Sequence, residues 1–244
     1  MKSFPGILMI ALLIASTQAQ TPTPPPKASP SPAPVPGAAR YVSLKYKAPA
    51  NAIAGIRHDV DAGTRGWNAT MPALYALAPN HTGFTTRGQP SLFWYQSSPA
   101  STRIELTLIE PKKPKPVLRV GADKADQAGI HRLPLERYNV TLAPGILYKW
   151  TIALVPDPAS RSQDLIASGT IQRIEPDAQL TSALSGAKGM DKAATYASKG
   201  IWYDALETVT NEVDAAPKNK GIRLQRATLL EQAELKEAAA SERK

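Results

Sequence analysis

Between Arg40 and Glu175, short runs alternate apolar and polar residues with the two-residue period of half-buried strands, and turn residues separate them. "YVSLKYK" places Val42, Leu44 and Tyr46 on one face. "SLFWYQS" sets Phe93 and Tyr95 opposite Trp94, and "TRIELTLIE" groups Ile104, Leu106 and Leu108. The turn "PKKPKP" leads into "VLRVG", after which "GIHRLPL", "GILYKWTIALV" and "LIASGTIQRIE" complete the series. About seven strands with no convincing helix between them predict a mainly β domain over residues 40–175, an immunoglobulin/fibronectin-like antiparallel β-sandwich. In "LAPGILYKWTIAL" the turn Pro144-Gly145 precedes Tyr148, the spacing of a tyrosine corner, whose hydroxyl reaches back to the turn backbone.

From Pro176 the period changes to that of a helix, and residues 176–244 read as an α-helical tail. "PDAQLTSALSG" can begin with proline in the first turn, and "MDKAATYASKG" ends at Gly200, a natural helix stop. In "WYDALETVTNEVDAAP", Trp202, Leu206, Val209 and Val213 form one apolar stripe that Pro217 ends, and "GIRLQRATLLEQAELKEAAASERK" continues as helix to its charged end. Ala193 and Ala227, Tyr196 and Leu230, and Ala205 and Ala239 each stand 34 positions apart. Tetratricopeptide helix pairs repeat at about this period, so the tail resembles one and a half such repeats. Glu234 stands where the spacing from Gly200 calls for glycine.

Upstream, "MKSFPGILMIALLIASTQAQ" carries Lys2, an apolar run from Ile7 to Ala15, and then small and polar residues. This is the order of a secretory signal, expected over residues 1–19, and the run is shorter than the roughly 20 residues of a membrane span. No transmembrane anchor is therefore expected once the signal is cleaved. Residues 20–39 read as a Pro-rich disordered linker, with eight prolines between Thr21 and Gly37. Export to the periplasm or the extracellular space follows, and the absence of cysteine leaves stability to burial alone.

Net charge is +9, and its position matters more than its size. Residues 41–175 hold 16 Lys and Arg against 10 Asp and Glu, while residues 176–244 hold 10 against 10. The surplus favours anionic envelope polymers over nucleic acid, for which no recognition motif occurs. Chemistry is sparse. His58, Asp59 and Asp61 in "GIRHDVDAGTRG" lack the continuation of a calcium loop or the partners of a zinc site, and read instead as a polar loop paired with Arg57 and Arg65. His81 suits a turn and His131 a strand surface. The common hydrolase motifs and phosphate-cradling glycine loops are absent, so no catalytic residue, cofactor or metal is expected.

The order of "GTRG" at Gly63 to Gly66, "MPALYALAP", "PSLFWY", "GIHRLPL", "LAPGILYKW" and "ASKGIWYDAL" with Leu229 and Leu230 resembles the bacterial family called domain of unknown function 928. The resemblance runs from about Tyr46 to Leu235 and implies an exported β domain with a short helical tail, without assigning an activity. In the family pattern that the chain resembles, many relatives carry a cysteine after the "GTRG"-like motif and another after the Tyr-x-Trp strand. Here those regions read "WNAT" and "ALVPDP", so the disulfide that the resemblance implies for relatives has no counterpart.

These readings converge on an exported, non-enzymatic binding or assembly module of the bacterial envelope. Its partner would be another envelope protein or an anionic polymer. Trp202 and Tyr203 on the helical tail and Lys112, Lys113 and Lys115 on the basic turn are the candidate partner contacts. Alternatives are an envelope hydrolase or carbohydrate-active enzyme using acids such as Asp59 and Asp61, and a structural protein that binds anionic polymers.

Overall fold

The computed structural model describes residues 43–54, 57–59, 71–122 and 124–244. The expected signal and linker, and Val42, Asp61, Arg65 and Trp67, lie outside the described residues. The chain is mainly β, with eight strands in two sheets followed by five helices among the described residues.

The larger sheet runs β2-β8-β7-β4-β5. Its strands are β2 (Gly83–Thr85), β4 (Arg103–Ile109), β5 (Leu118–Ala122), β7 (Leu147–Val155) and β8 (Leu165–Arg173). β2 lies parallel to β8, and the other neighbours are antiparallel. The register pairs Leu106 with Ile152, Leu108 with Trp150, and Trp150 with Gly169. These alternating positions form the buried face, as the period of two requires. Gly169 is needed where it stands, since a Cβ there would lie 2.6 Å from the Ala78 methyl and 3.1 Å from Trp150 Nε1. The Tyr148 hydroxyl meets the turn before it, accepting from Ala143 N–H at 3.2 Å.

The smaller sheet runs β1-β3-β6, all antiparallel, with β1 (Leu74–Ala76), β3 (Ser91–Gln96) and β6 (Gly129–Pro134). Five of the six residues of β3 are buried, and both of its faces are used. Trp94 and Gln96 face the larger sheet across a groove. On the opposite face, Ser91 donates to Glu207 of the helical tail at 3.0 Å. Both faces of β3 and of its neighbour β1 are therefore covered. This explains why the "MPALYALAP" segment, apolar throughout, does not alternate: it contains β1, buried at every position.

The helices are α1 (Ala178–Leu184), α2 (Gly189–Ser198), α3 (Trp202–Ala215), α4 (Lys220–Gln232) and α5 (Lys236–Ser241). Pro176 lies outside α1, and Asp177 caps it by accepting from Leu180 N–H at 2.7 Å. α2 stops at Gly200, at φ +75°, with Ile201 N–H bonded to Tyr196 O and Gly200 N–H to Ala197 O. The final segment is not one helix. It breaks at Glu234, at φ +62°, where Leu235 N–H bonds to Leu230 O, the same closure 34 positions on. Glu234 takes the conformation for which glycine is usual, and its carboxylate accepts from Asn80 Nδ2 at 2.6 Å.

One hydrophobic core runs from the sheets into the tail. The stripe Trp202, Leu206, Val209 and Val213 is buried throughout, and it closes on this chain's own sheets. Trp202 donates to Leu77 O at 2.8 Å, and Tyr203 reaches the larger sheet, accepting from Trp150 Nε1 at 2.8 Å and donating to Thr170 O at 3.0 Å. Of the segment "YVSLKYK", expected as a strand, the described residues 43–47 join neither sheet. Its described part is extended backbone on the helices, with Leu44 N–H donating to Gln225 Oε1, Tyr46 N–H to Gln232 Oε1, and Lys47 N–H to Ala197 O. Its alternation is nevertheless used: Leu44 is buried, and Tyr46 stands edge-on to Trp202 at 5.0 Å.

Candidate functional site

β5 and β6 are edge strands of different sheets, and a groove of about 240 Å³ opens between them. Its walls come from the faces that the two sheets turn toward each other. Trp94, His131 and Leu133 stand on one side, and Ile104, Leu106, Val120 and Ile152 on the other. Gln96 lines it too, while Lys124, Asp126 and Gln127 belong to the segment that follows β5.

Strand register builds the aromatic wall. Trp94 pairs with His131 across β3 and β6, so their rings stack at 5.1 Å and 14° between planes. His131 Nε2 lies 3.0 Å from Gln127 O, which makes it the N–H of the neutral ring. Burial pushes the imidazole below its ordinary range, against the smaller opposing effects of that carbonyl and of Asp126. A neutral, stacked histidine is a wall, not a charge.

Gln96 is only 1% exposed. Its Nε2 donates to Ser98 O at 2.7 Å and to Ala125 O at 2.8 Å, and two carbonyl acceptors fix which end of the amide is nitrogen. Oε1 is therefore an acceptor, buried and without a partner among the described residues. Trp94 Nε1 is a buried donor in the same condition. Such groups cost about 1–3 kcal/mol each when left unpaired. The inward positions Leu92, Trp94 and Gln96 alternate in "SLFWYQS", and a glutamine in that series is the signal that sequence reading passed over. The Trp94–His131 stack needs the register and had no local signal.

The expected contact residues fall elsewhere. Trp202 and Tyr203 are fully buried and hydrogen-bonded, so in the folded chain they are core residues and not surface contacts. The physical reason is that the apolar stripe of α3 had a sheet of its own to cover. Lys112, Lys113 and Lys115 are exposed on the turn between β4 and β5, and Lys113 pairs with Glu110 at 2.8 Å. That turn is at the opposite end of the β4–β5 pair from Ile104 and Ala122, so the structure does not bring the lysines to the groove. Asp59 is occupied twice, by Arg57 Nε at 2.5 Å and by Ala76 N–H at 3.2 Å, while Arg57 also donates to Ala233 O. Asp59 thus ties the segment before β1 to that strand, and Arg57 ties it to the end of α4. His58 bonds through its backbone to Ser168, and His81 stacks on Tyr46. Among the described residues, no three His, Cys, Asp or Glu side chains stand together as metal ligands, and no helix is long and apolar enough to cross a membrane.

Fold and site define a mainly β protein with a fused helical layer and a groove whose inner polar groups are an amide and an indole. The chain belongs to the family Domain of Unknown Function (DUF928), whose model matches residues 60–243. No curated protein matches it.

Proposed function

We propose that the protein is an exported, non-enzymatic binding module of the bacterial envelope, and that the groove between β5 and β6 is where it binds. The observation that carries this reading is the groove's composition. Apolar walls, a stacked neutral imidazole and unpaired amide and indole groups suit retention of a ligand by packing and hydrogen bonds, and none of them is an activated nucleophile. The finer architecture is read as an immunoglobulin/fibronectin-like sandwich. The two sheets, β1-β3-β6 and β2-β8-β7-β4-β5, antiparallel at every pair but the parallel β2–β8, and the Tyr148 hydroxyl on the preceding turn support it. The tail is read as tetratricopeptide-like, supported by matched helix stops at Gly200 and Glu234. A signal over residues 1–19 and a linker over 20–39 would deliver this module to the periplasm or the extracellular space.

To test the reading, the purified protein is incubated with envelope extract, re-isolated, and examined by native mass spectrometry. A bound mass that persists unchanged, and that Leu106→Trp removes by filling the groove, is the expected result. A mass that converts to product with time would overturn the non-enzymatic reading.

A second reading has its own support. Lys112, Lys113 and Lys115 project from one exposed turn of a chain with a net charge of +9, which favours an anionic envelope polymer as an additional partner.

A further inference from the structure

We infer that the groove between β5 and β6 takes a small neutral molecule made of an apolar body and a carboxamide. The inference rests on the binding reading above and names the ligand class. Three observations lead to it.

First, the unpaired groups are complementary: Trp94 Nε1 is a donor, and Gln96 Oε1 is an acceptor whose identity the Ser98 and Ala125 carbonyls fix. A ligand group that pairs both must accept and donate side by side, as an amide does. Second, the two residues are two apart on β3, so both side chains leave the same face of the strand, with their backbones roughly 7 Å apart, and one ligand group can address both. Third, the inner walls are uncharged, and among the described residues the formal charges lining the groove, Lys124 and Asp126, are of opposite sign. A net charge on the ligand would be desolvated without a partner, which favours a neutral one. The volume of about 240 Å³ has space for roughly eight water-sized groups, enough for a short aliphatic or aromatic body beside the amide. Both unpaired atoms are buried although their residues line the groove, so the half-buried Trp94 indole must shift against His131 for the ligand to reach them.

The test uses the full chain labelled with ¹⁵N and two probes of similar shape, hexanamide and methyl pentanoate; the ester accepts but does not donate. Hexanamide should move the Trp94 indole N–H signal saturably and bind about tenfold more tightly than the ester, one hydrogen bond's difference. Trp94→Phe keeps an aromatic wall and should weaken hexanamide about tenfold. Gln96→Met should remove the preference for amide over ester. Equal binding of the two probes, or an indole signal of Trp94 that hexanamide leaves in place, overturns the inference. A groove that retains an envelope ligand and loses it in Leu106→Trp, yet treats the two probes alike, sinks the carboxamide assignment and leaves the binding reading standing.

Discussion

Gly200 and Gly145 share the left-handed backbone, at φ +75° and +76°, but not the same surroundings. A Cβ at Gly145 meets nothing within 4 Å, whereas one at Gly200 would lie 2.5 Å from Pro49 Cγ and 2.8 Å from Lys47 O. Gly145→Ala should therefore cost about 1 kcal/mol for the backbone alone. Gly200→Ala should add a further 1–3 kcal/mol, roughly, for displacing the segment that carries Leu44 and Tyr46. Urea unfolding of the two variants measures the difference, and equal losses would show that the close approach is relieved freely. Asp204 poses a separate problem of charge. It is fully buried and accepts from Thr85 Oγ1 at 2.6 Å, Thr86 N–H at 2.9 Å and Thr86 Oγ1 at 2.5 Å. Burial outweighs these bonds and raises its pKa above the ordinary carboxylate value. The folded state then holds the proton more tightly than the unfolded state, so this residue's contribution falls as pH rises from about 4 through the raised value. Asn can keep the acceptor toward Thr86 and donate to the Thr85 hydroxyl. Melting temperatures of Asp204→Asn relative to the parent should thus shift in favour of the variant as pH rises through that window, and a flat difference curve would contradict the assignment.

At the scale of elements, the helical layer and the sheets share one hydrophobic core. The Tyr203 hydroxyl joins Trp150 of β7 to Thr170 O of β8, and Tyr203→Phe leaves the indole N–H buried without its acceptor. We expect a loss of about 2–3 kcal/mol with a single unfolding transition, read by near-ultraviolet circular dichroism and far-ultraviolet signal together. Two separated transitions would mean that the tail folds apart from the sheets. Much of this layer is legible in the sequence: the Trp202 to Val213 stripe, the stop at Gly200 and the 34-residue spacing are local patterns that the helix period dictates. Its partner is not legible, because an apolar stripe records that something covers it and not what does. The same limit applies to "YVSLKYK". Alternation predicts which of its residues are buried, but Leu44 lies on helices through Gln225 and Gln232, residues almost two hundred positions away. For the groove, only the odd glutamine at position 96 carries a signal. The stack of Trp94 on His131 is a property of register, and the lack of a partner for Oε1 is a property of the assembled walls.

For the whole molecule, the two proposed contacts are placed so that they can be tested independently. From Leu106 in the groove wall to Lys112 in the turn is six residues, about 20 Å of extended chain, beyond the roughly 8 Å over which charges interact at physiological ionic strength. Changes at one should therefore leave the other unaffected. On a dextran sulfate column, the triple variant Lys112→Gln, Lys113→Gln, Lys115→Gln should elute at clearly lower salt than the parent, while Leu106→Trp should elute with the parent. Elution of the triple variant with the parent would move the polymer contact off this turn and onto the basic surplus spread over residues 41–175, where 16 cationic side chains face 10 acidic ones. A shift caused by Leu106→Trp would instead mean that the groove and the charged end communicate through the β4–β5 pair, which the uninterrupted register from Ile104 to Leu108 could transmit only as a rigid displacement of the edge.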